Sequence, residues 1–391
     1  MKNFTDLAVA PEFIQKLAHK NITHPTAIQC LAIAPLIEGK SLIFRSATGT
    51  GKTFAYLIPA LQNIINESGE KPCAGGPALM ICAPTLELCS QIKTETEFLL
   101  SDTKGAQPVP NVSLLIGSMN ISRQIDALKK NKPLAVVGNP GRLLLLAKMG
   151  KLKCRNLRYV IFDEADRLTA DDSREEIAAL VKIIADSGCT RLTAAACSAT
   201  VNIKTREYLK PLLDRAALVE TDEQEILRNM IQHWTIFSES RGKTQTLLSF
   251  LGAVKAKKAL VFISRAFNAG KVVSVLQKHK IPAAGLYGGM DKKERKQAID
   301  RFRSGKDTVL ISSDLAARGL DIANISHVIA LDVSENKDVY IHRAGRTGRA
   351  GKPGIMVSIG DEIDMRRLSA LEKKLGITVH PKELHDGRLF N

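Results

Sequence analysis

The chain has 391 residues, 45% of them apolar and 25% charged, which is enough for packed cores and suits two domains. Lys and Arg total 56 against 40 Asp and Glu, a net charge of +16; from Glu223 onward 29 of the basic residues face 18 of the acidic ones, so the second half carries +11. No apolar run reaches the ~18 residues of a spanning helix, which excludes a membrane-spanning reading, and phosphate backbones are the usual partners of so basic a surface, with plain solubility as the alternative.

Short apolar runs alternate with helical patterns along the whole chain. In the first half the strands are expected at Ser41 to Phe44, Ala78 to Cys82, Val112 to Ile116, Leu134 to Val137, Tyr159 to Phe162 and Leu192 to Ala196, with helices such as Phe54 to Asn66 and Glu175 to Ala185 between them. The second half repeats the scheme at Ile231 to Phe237, Ala259 to Ile263, Ala284 to Tyr287, Thr308 to Ile311, His327 to Leu331 and Ile355 to Ile359. Such alternation implies two α/β domains, each a mostly parallel sheet covered by helices on both faces. The polar stretch Thr221 to Asn229 lacks strand character and places the hinge there, giving domains over 1–222 and 223–391. Met365, Leu368, Leu371 and Leu375 share one face of a terminal helix, with Arg366, Arg367, Lys373 and Lys374 towards another.

Ligands of open parallel sheets bind beyond the carboxyl ends of the strands, so motifs that follow a strand carry the most meaning. After the first strand comes SATGTGKT, formed by Ser46, Ala47, Thr48, Gly49, Thr50, Gly51, Lys52 and Thr53, leading into a helix. This order makes a phosphate-binding loop: backbone N–H groups wrap a polyphosphate, Lys52 adds charge and the Thr53 hydroxyl suits Mg2+. Ser46 departs from the glycine that usually opens the pattern. The run YVIF ends in Asp163, Glu164, Ala165 and Asp166, where Asp163 would hold Mg2+ through water and Glu164 would orient and deprotonate the attacking water. Ser198 and Thr200 follow another strand as small hydroxyl residues able to link the nucleotide edge to a neighbouring surface. HRAGRTGR, His342 to Arg349, offers Arg346 and Arg349 either as γ-phosphate ligands reached on domain closure, worth ~10³ to 10⁵ in rate, or as an RNA phosphate clamp.

Taken together these residues resemble the DEAD-box family of ATP-dependent RNA helicases, from Phe4 to about Gly354. The resemblance implies two tandem RecA-like domains that ATP and RNA close together, bending one strand away from its partner. It implies an adenine-reading motif at Asn21 to Gln29, with Phe4, Ile22, Thr26 and Gln29 on the base, and Gly319 with Asp321 at the ribose. It places Asp166, Ser198, Thr200 and His342 in coupling between the domains. It puts Pro84, Thr85, Gly117, Pro140, Gly141, Arg142, Arg265, Gly288, Arg295 and Ser313 on the sugar-phosphate backbone of RNA. ATP and Mg2+ are the implied cofactors and structured RNA or a short duplex the implied partner, for a monomer that works with ribosomal or degradation-complex proteins. The start MKNFTDLAVAPEF lacks the apolar stretch and small-residue cleavage site of a secretory signal, which makes the cytoplasm the expected location.

The chain departs from the family at Leu86, Ser118, Asn139, Arg265 and Lys292 on the RNA side and at Asn21, Ile22 and Ser46 on the ATP side. Three functions remain in play: a short-duplex RNA helicase, an ATP-gated RNA clamp or annealing chaperone, and a DNA translocase, disfavoured because D-E-A-D together with the adenine motif points to RNA. The seven cysteines form no C-x-x-C pair, so neither zinc nor a disulfide framework is expected, and Cys82 and Cys197 read as small core residues.

Overall fold

A computed structural model of the chain describes residues 2–46, 50–68, 76–101, 111–170, 173–198, 203–221, 223–263, 266–314, 322, 324–348, 352–385 and 387–390. The chain divides into two compact units that part between Thr221 and Asp222.

The first unit holds β1 (Leu42–Arg45), β2 (Leu79–Cys82), β3 (Val112–Leu115), β4 (Ala135–Gly138), β5 (Tyr159–Asp163), β6 (Thr193–Ser198) and β7 (Ala217–Glu220). They form one sheet in the order β3-β4-β2-β5-β6-β1-β7, and every pairing is parallel. Side chains alternate across a strand, so β2 sends Leu79 and Ile81 into one core cluster and Met80 and Cys82 into another. Helices such as Lys52–Ser68 and Arg174–Ala185 cover the two faces. Burying each such Leu or Ile stabilises the fold by roughly 1.5–3 kcal/mol.

The second unit holds β8 (Ile231–Phe237), β9 (Ala259–Phe262), β10 (Ala283–Leu286), β11 (Val309–Ser312), β12 (His327–Ala330), β13 (Gly354–Gly360) and β14 (Val379–Pro381), in the order β10-β11-β9-β12-β13-β8-β14 and again all parallel. Adding seven to each strand number of the first sheet reproduces this order. Both units are thus RecA-like α/β sheets with one topology. An antiparallel hairpin, β15 (Glu383–His385) and β16 (Arg388–Phe390), packs Leu384 and Leu389 against the second unit's core.

Most strands fall within a residue of the expected positions, but β7, β14 and the hairpin had no expectation. All are three or four residues long and largely exposed, so no buried face patterns them. The polar hinge segment is a helix, Glu223–Met230, anchored in the second core through Leu227. The terminal helix runs from Glu362 to Leu375, and Asp361 caps it by accepting from Ile363 N and Asp364 N. Among the described residues no helix is long and apolar enough to cross a membrane.

Candidate functional site

β5, β6 and β1 are neighbours, and their carboxyl ends deliver Asp163, Ser198 and Ser46 to one edge. The Ser46 amide donates to Ser198 O at 3.0 Å, which carries the ladder one residue past β1. The Ser46 hydroxyl, where the usual loop has glycine, hydrogen-bonds Thr50 Oγ1 at 2.7 Å and accepts from Thr221 Oγ1 at 2.9 Å. The departure therefore staples the loop to the end of β7. Gly51 has φ +88, a left-handed backbone that favours glycine, and a Cβ there would lie 2.6 Å from Gln29 Nε2. Lys52 opens the following helix, is buried, and donates to Ser46 O at 2.6 Å. Thr53 stands beside it in the first helical turn.

The Gln29 carboxamide is buried, accepting from Thr26 N at 2.9 Å and donating to Gly51 O at 3.0 Å. An amide oxygen has two lone pairs and its nitrogen two protons, so each end keeps one bond for a base. Asn21 has φ +59, which asparagine tolerates better than most residues. Ile22 packs on the first core cluster, and the Phe4 ring is covered within that cluster, at 2% exposure.

Asp163 ends β5 at 4% exposure. Its Oδ2 accepts from the Tyr56 hydroxyl at 2.8 Å, and its Oδ1 from Cys197 Sγ at 3.1 Å and from Glu164 N at 2.9 Å. Burial pushes its carboxyl above the ordinary value and Glu164 adds to the rise, while Lys52 opposes it. Glu164 has φ +52, a left-handed backbone costing a non-glycine residue about 1–2 kcal/mol. That strained turn aims the strand into the short helix Ala165–Leu168. Arg167 Nη1 holds Glu164 Oε2 at 2.7 Å, and the Asp166 carboxylate accepts from Arg167 N.

β3, β4 and β2 make the other half of the same edge. Thr85 caps the helix Leu86–Leu100 by accepting from Leu88 N, with Pro84 just before it. Leu86 packs partly on the first core cluster. Pro140 and Gly141 open the helix Pro140–Lys148 after β4. Arg142 donates to Gly117 O and to Met119 O, each at 3.1 Å, tying that helix to the loop after β3. The side-chain oxygen of Asn139 is buried without a partner.

In the second unit Gly288 and Ser313 follow β10 and β11, which are adjacent, and Arg295 lies in the helix Lys292–Arg303. Of the HRAGRTGR residues, Arg343 is structural: it is buried and holds Asp314 Oδ1 and Oδ2 at 2.7 Å each, Asp332 O at 2.8 Å and Asp332 Oδ1 at 3.0 Å. Burial alone would lower its pKa, but these carboxylates raise it. His342 sits half-buried in the last turn of the helix Lys337–Ala344, and Arg346 follows it at 5% exposure. Ala47, Thr48, Gly49, Thr200, Arg265, Gly319, Asp321 and Arg349 lie outside the described residues.

The DEAD/DEAH box helicase family model matches residues 26–209 and the helicase conserved C-terminal domain model residues 242–351. The chain is 35% identical over 364 residues to the DEAD-box ATP-dependent RNA helicase CshC of Bacillus cereus, covering 93% of this chain and 88% of CshC. The chain belongs to the DEAD-box family of ATP-dependent RNA helicases. This DEAD-box chain is also 32% identical to the ATP-dependent RNA helicase SrmB of Haemophilus influenzae, covering 95% of the chain and 83% of SrmB. Among solved structures, a variant of S. cerevisiae Dbp5 bound to RNA and ADP BeF3 is similar with a TM-score of 0.82 and 25% identity, covering 97% of this chain and 95% of that one. Mss116p bound to ssRNA and AMP-PNP shares the fold at a TM-score of 0.84 and 24% identity, covering 98% and 80%.

Three residues of this DEAD-box site escape a reading of the sequence: Tyr56, Cys197 and Arg167. Tyr56 and Cys197 occupy core positions and look like packing. The available signal for Tyr56 is its place four residues after Lys52, one helical turn on along the same face. Arg167, three residues after Glu164, is an ordinary helix ion-pair spacing.

Proposed function

We infer that the chain couples RNA-stimulated ATP hydrolysis to local separation of short RNA duplexes. One observation carries this reading: the β5-β6-β1 half of the edge presents the nucleotide motifs while the β3-β4-β2 half presents the RNA motifs. Ligands on the two halves therefore bear on a single sheet. The residues fit ATP with Mg2+: Gly51 leaves a cradle that a Cβ would fill, Lys52 is a buried cation beside it, and Thr53 with Asp163 offers the hard oxygen donors that Mg2+ takes. When bound, Mg2+ supplies charge neutralisation on the phosphates.

Lys52 and the loop amides hold the polyphosphate, and Gln29 and Thr26 read the base. Thr53 and Asp163 would hold Mg2+, Asp163 through water. Glu164, fixed by its left-handed turn, positions the attacking water and accepts its proton at a side-chain oxygen, leaving Arg167 to do so. His342 and Arg346, the second unit's share, are carried over from the family. The setting in ribosome assembly or RNA turnover rests on the resemblance alone.

A second reading, an ATP-gated RNA clamp or annealing chaperone, has its own support. Leu86, where the family has arginine, packs on the core, and the Arg142 guanidinium gives two of its five donors to backbone carbonyls, which leaves fewer free donors on the RNA half. Strand release from a short RNA duplex with a single-stranded overhang separates the two, measured with ATP, with a non-hydrolysable analogue and on an all-DNA control. Release that needs ATP and RNA is the expected outcome. Tight analogue-dependent binding without release would establish the clamp.

A further inference from the structure

Tyr56 lies one turn into the helix that Lys52 begins and is fully buried. Packing alone would be served as well by phenylalanine, because a buried hydroxyl without a partner costs free energy. This hydroxyl has a partner, and that partner is a residue assigned to the metal. It donates to Asp163 Oδ2 at 2.8 Å. On the far side of the carboxylate, the buried Cys197 thiol donates to Oδ1 at 3.1 Å.

We propose that Tyr56 is a positioning residue for the metal: its hydroxyl holds one oxygen of the Asp163 carboxylate and, with Cys197 on the other, fixes the plane of that carboxylate. The inference deepens the reading of Asp163 given above and rests on it. A carboxylate held by a donor on each oxygen cannot rotate, so its remaining lone pairs keep one direction. Pre-set outer groups of this kind orient the ligands of metal sites, and their loss typically costs 10–100-fold in affinity where the metal is bound directly. Contact through water weakens that dependence.

The test uses the full chain with ADP and Mn2+ in place of Mg2+, reading bound Mn2+ by electron paramagnetic resonance, alongside Mg2+ titrations of ATP turnover. Tyr56→Phe keeps the ring and loses one hydrogen bond, and is expected to weaken Mn2+ about five- to tenfold. The KM for ATP at saturating Mg2+ should stay near that of the parent chain. Cys197→Ala should weaken Mn2+ about twofold and Cys197→Ser, which keeps a donor, should restore it. Parent-like Mn2+ affinity in Tyr56→Phe overturns the inference. Asp163→Asn separates the two levels: if it also binds Mn2+ as the parent does, the reading of Asp163 fails and the inference with it. If only Asp163→Asn loses the ion, Tyr56 is packing and the reading of Asp163 stands.

Discussion

The two units share a strand order, yet the same place in each does different work. In the first, Ser46 N donates to Ser198 O, the chain passes through Gly51 at φ +88, and Lys52 opens a helix. In the second, Ser238 N donates to Gly360 O at 2.8 Å and Gly242-Lys243-Thr244 repeats the letters at the start of the helix Lys243–Val254. There the turn is one residue shorter, Gly242 is right-handed at φ −88, and Lys243 Nζ is held by Asp364 Oδ2 at 2.5 Å and faces Asp361 Oδ2 at 3.8 Å. The acid at the end of the corresponding strand differs likewise: Asp163, ending β5, feels Lys52 and accepts from Tyr56, whereas Asp332, past β12, is taken up by Arg343. A fold supplies the edge, and loop length with the neighbouring charges decides whether a lysine there meets phosphate or a carboxylate.

Exchanging the fates of the two lysines tests this most strongly. Lys52→Ala should lower RNA-stimulated ATP turnover by at least about 10²-fold, the scale for removing one fixed charge-stabilising donor. Lys243→Ala should leave turnover within about twofold. Phosphate release measured on both variants would break the comparison if the two losses were alike while the fold stayed intact. The next effect concerns stability. Asp364→Ala strands Lys243 in a largely buried site and removes the acceptor of Val333 N, so the second unit should lose about 3–5 kcal/mol. Trp234, the only tryptophan of the chain, lies in β8 and reports that unit's urea unfolding by its fluorescence. An unchanged midpoint would show that Lys243 is not held by Asp364 in solution.

Much of this was legible in the sequence because the phosphate loop and the acidic motif directly follow apolar runs, whereas the adenine motif at Asn21 to Gln29 came from the resemblance. The loop Ser46 to Thr53 and the acids at Asp163 and Glu164 are local patterns, and a buried parallel sheet leaves its strands unmistakably apolar. What stayed hidden depends on who meets whom across the sheet. Only its helical spacing from Lys52 marks Tyr56, and nothing local marks Cys197, because a hydroxyl or thiol inside an apolar face looks like packing until Asp163 arrives from more than thirty residues away in either direction. Nothing local separates Lys243 from Lys52 either, since the acids that neutralise Lys243 lie more than a hundred residues on. The grouping of the RNA positions on β3, β4 and β2 was also beyond reach, because strand order is a property of the sheet.

The mildest contrast between the units is with acid, and it sharpens the same comparison. The strands of the first sheet contain no histidine, whereas β8 carries His233, buried with Nε2 donating to Leu227 O at 2.9 Å and Nδ1 accepting from the Tyr340 hydroxyl at 2.7 Å. Burial holds its pKa below the ordinary 6.5, and burial does the same to His327 at the start of β12. The unfolded chain therefore binds these protons at a higher pH than the native one does, so stability rises with pH and is lost as pH falls through about 6.5 and below. The hydrogen bond from Tyr340 needs the neutral ring, since a protonated Nδ1 can no longer accept, whereas Nε2–H donates to Leu227 O in either state. Trp234 fluorescence in urea at pH 7.5 and 5.5 should show the second unit weakening on acidification by less than Asp364→Ala costs it. His233→Gln should flatten that slope without touching ATP turnover at pH 7.5. A slope that persists unchanged in His233→Gln would move the acid sensitivity away from β8, with His327 of β12 the next group to vary.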